Sequence, residues 1–345
     1  HCAAAIPQQK PPRLSGPREA ADPAAAGAVL ALAYPDRIAQ LRPGQPGRFL
    51  LRNGRGAMLL PGQTLAREPF LVVASLDDAG AEGRILVAAP LAETELARVA
   101  EGHVVEEEVV EWRSVLRAVT ARRVSRLGAL ILADRSLGTP DPERALRAAL
   151  AGIRKDGLAV LPWSDAANTF RARVRFLHRV DPSWPDVSDE ALLATLEGWL
   201  GPHLYGRWRR SELERLDLAP ILGALIPRNR RNDLDREAPE RITVPSGSQI
   251  VVNYADPAGP VLAVRLQELF GQRESPRIAG GRVPLTLHLL SPAYRPVQVT
   301  QDLAGFWATA YFEVRKELRG RYPKHHWPEN PLEAEAVRGP KRRRP

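Results

Sequence analysis

The sequence is poor in the residues that most often reveal a chemistry. Its 345 residues include one cysteine, Cys2, one methionine, Met58, and only five lysines among 49 cations. A single cysteine excludes a disulfide or a cysteine-based zinc site within one chain. A reducing, cytoplasmic location follows as the expectation.

Long apolar runs are missing as well. No run approaches the roughly 18 residues that a membrane-spanning helix needs, so we expect no membrane partner. No charged segment followed by an apolar core opens the chain, which excludes a visible secretory signal. The chain begins with His1 rather than methionine, and we therefore expect a fragment of a longer protein or the product of a shifted reading frame.

The motifs of nucleotide hydrolysis are absent from the sequence. There is no G-x-x-x-x-G-K-[S/T] phosphate loop and no D-E-A-H box. These are the parts that would cradle a nucleoside triphosphate and its magnesium ion. We expect no catalytic residue and no cofactor in this chain, and no ATPase activity from the chain alone.

Isolated candidates for other chemistry have simpler explanations. His325 and His326 are adjacent, so their rings tend to point apart, and nearby prolines argue against a helical face shared with Glu329. Ser246 lies in a Pro-Ser-Gly-Ser turn without the G-x-S-x-G frame of an exposed nucleophile. We expect no metal site, and only such single residues support an independent hydrolase.

Positive charge is what the chain has in excess. Its net charge is +9, which is typical of proteins that bind nucleic acid. The last residues, 338–345, hold five cations and no acid, and residues 1–26 carry a net +1, so the body keeps a modest +3. Arginine suits bidentate phosphate contacts, although a GC-rich genome would produce the same arginine bias.

The pattern along the chain predicts an α+β protein of several domains. Short strand-like runs with a hairpin signal at Asn53-Gly54 indicate a small β-barrel or sandwich, and helical periodicity then takes over. The predicted parts are a disordered Pro/Ala-rich lead-in (1–26), a β-barrel (27–138), a helical bundle (139–237), a mixed α/β segment (238–328) and a disordered basic tail (329–345).

Local signals set the expected ends of the later elements. Asp141, Ser164 and Ser188 are N-cap candidates. Ser211-x-x-Glu214 matches a capping box. The expected C-terminal elements are a hairpin (241–244 with 249–254), a short helix (264–270), a strand (283–290) and a final helix (301–319).

The densest cationic stretch covers residues 314–326 and contains one acid, Glu317. Cations interleaved with aromatic rings suit a phosphate backbone and unstacked bases, and Trp327 follows directly. The polar side of an amphipathic helix with its dipole complement is the alternative interpretation. The residues predicted here to bind nucleic acid are Arg315, Lys316, Arg319, Arg321, Tyr322 and Lys324.

Two further groups of arginines are candidates for the same role. Arg52 and Arg55 flank the Asn53-Gly54 turn, where glycine permits close approach to phosphate. Arg171 and Arg175 recur four residues apart on a predicted helix, followed by Arg179. Solvated side chains on an ordinary turn and an ordinary helix face are the alternatives.

A second hypothesis treats the chain as a platform for another protein, with an incidental basic surface. The predicted final helix carries Phe306, Trp307, Tyr311 and Phe312 on more than one face. One core does not easily absorb aromatic side chains spread in this way, and the surplus would suit a protein partner.

Several stretches, in order and at similar spacing, resemble the region after the helicase core in bacterial DEAH-box helicases of the HrpB family. They are 32–39 (LAYPDRIA), 47–49 (GRF), 53–57 (NGRGA), 244–248 (VPSGS), 263–271 (AVRLQELFG), 281–285 (GRVPL), 289–293 (LLSPA), 301–303 (QDL) and 320–325 (GRYPKH).

The resemblance implies an ATP-dependent helicase whose two RecA-like lobes, with their ATP and magnesium, lie upstream. It implies that residues 27–138 are an oligonucleotide/oligosaccharide-binding-like (OB-like) barrel beside the exit of the single strand, and that 139–328 are the extension peculiar to the family. The expected partners are the upstream helicase core, single-stranded nucleic acid, with RNA preferred, and a protein bound by the extension.

Overall fold

The structure is a computed structural model that describes residues 23–77 and 82–339. The chain divides into two units, one formed by 1–110 with 121–139 and the other by 111–120 with 140–345. The predicted end of the first domain, at Gly138, lies next to this division. The tip of a hairpin, residues 111–120, nevertheless groups with the second unit rather than the first. Each unit is described by itself.

The first unit contains a closed five-stranded barrel with strand order β1-β2-β3-β5-β4. Strand β1 pairs antiparallel with both β2 and β4, and β3 pairs parallel with β5. The strands are β1 (Ile38–Leu41), β2 (Arg48–Leu51), β3 (Gly56–Met58), β4 (Phe70–Asp77) and β5 (Glu82–Pro90).

The predicted hairpin at Asn53-Gly54 is confirmed. β2 and β3 pair in antiparallel register on either side of it. Gly54 has a φ of 90°, a value that favours glycine, and the Asn53 side-chain oxygen accepts a hydrogen bond of 3.0 Å from the Arg55 amide. The barrel interior is filled by buried apolar side chains of all five strands, among them Ala39, Phe49, Leu51, Ala57, Leu71, Val73 and Ile85.

Among the described residues of the same unit there are two α-helices, and one of them corrects a prediction. α1 (Pro23–Ala33) includes residues 23–26, which the composition had indicated as disordered. A Cβ added to Gly27 would lie 1.9 Å from the Pro90 carbonyl oxygen, so the helix approaches β5 closely. The rest of the predicted lead-in, 1–22, lies outside the described residues. The second helix is α2 (Glu93–Ala100), and short 3-10 helices cover Pro35–Arg37 and Thr64–Arg67.

A three-stranded sheet of order β6-β7-β8 follows the barrel. Its strands are β6 (Val105–Arg113), β7 (Ala118–Leu127) and β8 (Leu130–Ser136).

The β6–β7 hairpin tip makes its contacts within the second unit. The Trp112 indole donates to the Asp156 carboxylate at 2.7 Å, and the Ser114 hydroxyl donates to the same carboxylate at 3.0 Å. A Cβ added to Gly152 would lie 2.0 Å from Trp112. Only glycine therefore lets the indole pack this closely against the helix.

Helices make up the next part of the second unit, and three predicted N-caps are confirmed. The side chains of Asp141, Ser164 and Ser188 each accept a hydrogen bond from a backbone amide of the first turn, at 2.8–3.2 Å. The helices are α3 (Pro142–Asp156), α4 (Asp165–Val180), α5 (Asp189–Ala194), α6 (Leu196–Trp199), α7 (Gly201–Leu204), α8 (Arg210–Leu213), α9 (Leu218–Gly223) and α10 (Asp233–Glu237), with 3-10 turns at Leu158–Val160 and Arg228–Arg230.

The predicted capping box at Ser211 and Glu214 is wrong. α8 begins at Arg210, and Glu212 is the residue whose carboxylate accepts from the backbone amides of Trp208 and Arg209, both at 3.0 Å. The predicted box lies two positions after the observed one, Arg209 with Glu212. The pattern is ambiguous because two acids, Glu212 and Glu214, follow Ser211 closely.

A five-stranded sheet of order β15-β14-β11-β10-β9 forms the mixed part of the second unit. The predicted hairpin of β9 and β10 is confirmed. The short helix predicted at 264–270 is confirmed only as a 3-10 helix, Leu266–Leu269, because Val264 and Arg265 belong to β11 and pair in parallel with β14. The strands are β9 (Arg241–Thr243), β10 (Gln249–Asn253), β11 (Val261–Arg265), β14 (Thr286–Leu290) and β15 (Pro296–Thr300), and β12 (Arg277–Ile278) pairs separately with β13 (Val283–Pro284).

The predicted single final helix is two helices, α11 (Leu303–Ala308) and α12 (Tyr311–Arg321). The chain turns at Thr309, whose φ and ψ are −123° and −71°. This turn brings Phe306, Trp307 and Tyr311 together around Phe270 with ring centroids 5.1–6.3 Å apart. The core therefore absorbs three of the four aromatic side chains that had suggested a protein platform.

Residues 329–339 correct the predicted disordered tail. Pro331 accepts a backbone hydrogen bond from Gly271 at 2.9 Å, the Val337 amide donates to Gln267 at 3.0 Å, and the Arg338 guanidinium donates to the Ser246 carbonyl at 3.1 Å. The remaining cations of the tail, 341–344, lie outside the described residues.

Within the ranges that the structure describes, no helix combines the length and the apolar character needed to cross a membrane.

Candidate nucleic-acid interface

The outer face of α12 combines one exposed aromatic ring with cations. Phe312 is 51% exposed, and Lys316 and Arg319 follow it by four and seven residues, which places all three on one side of the helix. They border a surface depression of about 620 Å³ together with Arg315, Gly320 and Pro323. We call Phe312, Lys316 and Arg319 the α12 surface.

The cations predicted in this segment fall into two classes. The Arg315 guanidinium donates to the Trp327 carbonyl at 3.0 Å and lies 3.5 Å from Glu329, and Arg321 lies 3.8 Å from Glu317. Lys316, Arg319 and Lys324 are exposed and make no ion pair with any described residue. The second class is available to an anionic ligand without breaking a contact of the fold.

Tyr322 is half-buried in the turn that follows α12. Its carbonyl accepts from the Trp327 indole at 3.0 Å, and its ring meets His325 edge-on at 6.1 Å. His325 also contacts the Gln267 side chain at 2.9 Å. Burial, with the nearby Arg265 charge, lowers the pKa of His325 and favours its neutral form. Tyr322 thus packs within a turn, whereas Phe312 is the openly exposed ring.

A groove of about 750 Å³ runs beside α4. The helix contributes Arg171, Arg175, His178 and Arg179 to it. The opposite walls come from the loops around Asp186, Ser188 and residues 254–257. We call this the α4 groove.

Arg171 serves the fold of the α4 groove. Its guanidinium donates to the Val187 carbonyl at 2.8 Å, pairs with Asp189 and lies 5.0 Å over the Trp163 ring. Arg175 and Arg179 are exposed and form no ion pair with a described residue. The three predicted arginines therefore divide into one structural and two available cations.

Acids in the α4 groove limit its positive charge. Hydrogen bonds from Ser188, with smaller contributions from His178 and Arg175, hold the pKa of Asp186 below its usual range, so Asp186 stays charged. Asp256 is a second carboxylate on the opposite wall. The groove is consequently of mixed charge, unlike the α12 surface.

Arg173, on the same helix, has a structural role that the sequence analysis does not predict. It is 2% exposed and donates to the Ala238 carbonyl at 2.6 Å, while its other nitrogens pair with Asp235 at 2.5 Å and Glu240 at 2.9 Å. A signal existed, because Arg173 lies three residues after Phe170 and four before Leu177, which places it on the apolar face of α4.

In the first unit, the predicted loop packs against neighbouring segments of the chain. Arg52 is half-buried, with its guanidinium 3.5 Å from the Pro35 carbonyl. A Cβ added to Gly128 would lie 2.4 Å from the Arg52 carbonyl oxygen, so the loop packs closely against the β7–β8 turn. Arg55 is exposed. Arg52 borders a depression of about 540 Å³ with Leu32, Asn53, Val99 and His103.

The described residues contain no candidate metal centre. No three His, Cys, Asp or Glu side chains there come close enough to hold an ion. The turn serine Ser246 donates to the buried carboxylate of Glu268 at 2.9 Å, an arrangement of a structural turn.

Comparison with known proteins agrees with the resemblance. The family model for the C-terminal region of ATP-dependent helicases, HrpB_C, matches residues 199–331. The ATP-dependent RNA helicase HrpB of Escherichia coli (strain K12) is 42% identical over 328 residues, an alignment that covers 93% of this chain and 40% of the relative.

Two solved structures are similar as well. The crystal structure of the E. coli DExH-box NTPase HrpB has a TM-score of 0.57 at 41% identity, covering 91% of this chain and 39% of that one. The crystal structure of the E. coli DEAH/RHA helicase HrpB has a TM-score of 0.51 at 40% identity, covering 88% and 38%. The chain thus spans about two fifths of the length of these relatives. The C-terminal family model, the sequence identity and the structural match agree that this chain is similar to the C-terminal region of HrpB helicases.

Proposed function

We propose that this chain is the accessory C-terminal region of an ATP-dependent helicase and that it binds single-stranded nucleic acid, with RNA as the preferred strand. The α12 surface is the observation that carries the proposal. An exposed ring beside cations without acidic partners offers stacking to a base and charge to a phosphate in one place. The E. coli relative is described as an RNA helicase, which supports RNA over DNA.

The barrel supports the same function. Five strands closed in the order β1-β2-β3-β5-β4 fit an OB-type barrel, a fold that binds oligonucleotides. The loop with Arg52 and Arg55 lies between β2 and β3 of that barrel, and we assign it a contact with the strand. In the second unit, Arg175 and Arg179 of the α4 groove would add phosphate contacts.

ATP and magnesium have no fitting site among these residues. The sequence lacks the phosphate loop and the acidic box that would hold them. In the proposed function they bind to a helicase core outside this chain, which is one partner, and the location is the cytoplasm. The isolated chain should not turn over ATP, and measurable hydrolysis by the purified chain would contradict this assignment.

A binding titration tests the proposal. The full chain is titrated into a fluorescein-labelled oligouridylate of about 12 nucleotides, a length within the usual range of such sites. Replacing Lys316, Arg319 and Lys324 together by alanine should weaken binding on the order of 100-fold at 0.1 M salt. The slope of log K against log salt should fall by about 2, because each single-strand phosphate contact contributes roughly 0.7.

The matched control removes the same charge from cations that already have acidic partners. Arg123, Arg126 and Arg210 pair with Glu108, Glu107 and Glu214 at 2.7–3.0 Å. Their triple alanine variant should change the slope much less. Equal losses of affinity in both variants would show that net charge alone sets the affinity. If the affinity of the unmodified chain does not depend on salt, phosphate binding is refuted.

Docking of a protein is the second candidate. It is favoured by the β6–β7 hairpin tip, where Val115 is 93% and Leu116 is 51% exposed. Two adjacent exposed apolar side chains suit a protein partner better than a nucleic acid. If Val115→Ser with Leu116→Ser abolishes capture of a purified helicase core and leaves the oligouridylate affinity unchanged, protein docking is a separate function of this tip.

A further inference from the structure

We propose that Tyr294, backed by Arg265, is a stacking platform for one unpaired base of the bound strand. The inference rests on the proposed function and names a contact that the predicted site residues do not include. We call the pair the Tyr294 platform. Tyr294 lies on the turn that joins β14 to β15, and Arg265 is the last residue of β11.

The turn holds Tyr294 outward by defined hydrogen bonds. The Ser291 amide donates to the Arg295 carbonyl at 2.8 Å, and the Tyr294 amide donates to the Ser291 carbonyl at 2.9 Å. The Ser291 hydroxyl, on a residue that is 2% exposed, accepts from the Arg295 amide at 3.2 Å. The ring itself is exposed, with Tyr294 65% accessible to solvent.

The backbone of Tyr294 is in a conformation that favours glycine. Its φ is 58°, in the left-handed region, which is unfavourable for a bulky side chain. The ring is mostly in solvent, so burial of its apolar surface does little to offset this cost. Glycine would serve the turn better, so a role for the ring outside the fold explains its presence.

Arg265 is fixed beneath the ring before any ligand arrives. Its guanidinium carbon lies 5.0 Å from the ring centroid. Its Nε pairs with Glu268 at 2.7 Å, and the Glu268 carboxylate is buried and also accepts from the Ser246 hydroxyl at 2.9 Å. Burial alone would raise the pKa of Glu268, but hydrogen bonds from Ser248, Arg265 and Ser246 together lower it, so the pair stays ionised.

The charges around the platform favour an anion that carries a flat ring. Arg295 follows Tyr294 directly, is exposed and forms no ion pair with a described residue. Arg338 is exposed, and its guanidinium donates to the Ser246 carbonyl at 3.1 Å. The hydroxyl of the same serine donates to Glu268. Glu268, the acid in this network, is neutralised by Arg265. A base on the ring with its phosphates near Arg295 and Arg338 satisfies both features.

The ligand must be single-stranded. Bases in a duplex are stacked on one another and present no free face to a side chain, whereas an unpaired base does. Stacking on an aromatic ring accepts any base, so the platform should show little sequence preference. This separates it from a site that reads base edges.

The test compares a labelled oligouridylate with an abasic strand of the same length, which keeps the phosphates and lacks the bases. Tyr294→Ala in the full chain should weaken binding of the oligouridylate about 5- to 150-fold, the range expected for one stacked base. Binding of the abasic strand should not change. Tyr294→Phe keeps the ring and should retain the affinity of the unmodified chain.

Tyr294→Gly is the control that separates loss of the ring from loss of the fold. Glycine suits the left-handed turn, so the variant should unfold at the same or a higher temperature and still lose affinity like Tyr294→Ala. Unchanged binding of both strands, equal losses on both strands, or loss of a protein partner alone would overturn the platform. If Lys316, Arg319 and Lys324 still prove necessary in that case, the proposed function stands without it. If the unmodified chain binds neither strand, both proposals fail.

Discussion

Cationic side chains play opposite roles in two regions of the molecule. One region is the three-stranded sheet of the first unit, and the other is the C-terminal helix α12 of the second unit. In the sheet, Arg122 pairs with Asp134 at 2.6 Å, Arg123 with Glu108 at 3.0 Å and Arg126 with Glu107 at 2.7 Å. On the α12 surface, Lys316 and Arg319 make no ion pair with a described residue.

The difference shows why net charge is a poor guide to a binding surface in an arginine-rich chain. An arginine that faces a carboxylate on the next strand is already compensated, and its field is weak beyond a Debye length of about 10 Å at 0.1 M salt. An arginine without such a partner can release counterions from a phosphate strand. The local partner therefore decides the role of each cation.

The largest effect should come from the buried cation of α4. Arg173→Met keeps the length of the side chain but leaves the Ala238 carbonyl without the Arg173 donor and Asp235 and Glu240 without their cation, so we expect a loss of about 3 kcal/mol of unfolding free energy. Urea unfolding of the full chain measures it. Arg175→Met, two residues away and exposed, is the control and should stay within about 0.5 kcal/mol. A loss no larger than in the control would show that Arg173 is not structural.

The second prediction concerns variants in which the sheet arginines lose their acidic partners and become like the cations of the α12 surface. Glu107→Gln with Glu108→Gln removes the acidic partners of Arg126 and Arg123, so the sheet should gain phosphate contacts. The salt slope for oligouridylate binding should steepen by about 1.4, two cations at roughly 0.7 each. Glu93→Gln with Glu101→Gln adds the same charge at exposed acids that lack an ion pair with described residues. An identical gain in that control would mean that overall charge, not pairing, sets affinity.

A third, smaller effect concerns the stability supplied by the sheet pairs themselves. Arg123 and Glu108 are each more than a third exposed, so Arg123→Ala should cost only about 0.2–1 kcal/mol. The cost should shrink further at high salt because the pair is screened. Urea unfolding at about 0.05 M and about 1 M salt provides the check, because the Debye length falls from roughly 14 Å to roughly 3 Å between them. A cost that does not depend on salt would indicate packing rather than charge.

The smallest effect is a pH dependence at the turn beneath α12. The folded pKa of His325 is lowered by burial and by Arg265, so the unfolded chain takes up the proton first as the pH falls. The contribution of His325 to stability is present above about pH 6.5 and is lost as the pH falls through its folded pKa. The urea midpoint should drop between about pH 7.5 and about pH 5.5, roughly one unit either side of that value. His325→Gln should flatten that part of the drop, and an equal drop in the variant would assign it to other groups.

Much of the fold was predictable because its signals are local. The Asn53-Gly54 hairpin and the caps at Asp141, Ser164 and Ser188 depend on a few neighbouring residues, and the structure confirms them. The start of the helix predicted at 264–270 is less predictable, because Val264 and Arg265 pair with the distant β14, and apolar spacing alone does not show such a pairing.

The candidate site was less predictable, because spacing does not show which cations have partners. Arg171 and Arg315 looked available and are bound to carbonyls 16 and 12 residues away. Tyr294 was overlooked because its interest lies in a backbone angle and in Arg265, 29 positions earlier in the sequence. Neither the positive φ of Tyr294 nor its stacking on Arg265 produces a periodic pattern in the sequence.

The hairpin tip that carries Trp112 has a consequence for dissecting the protein. Since 111–120 group with 140–345 while 121–139 group with the preceding residues, the backbone enters the second unit, leaves it and returns. No single peptide-bond cleavage separates the two units intact. A piece starting at Pro140 would expose the face of α3 that Gly152 offers to the indole and would leave Asp156 without both of its donors. Such a piece should be more easily digested by proteases than the same residues in the whole chain.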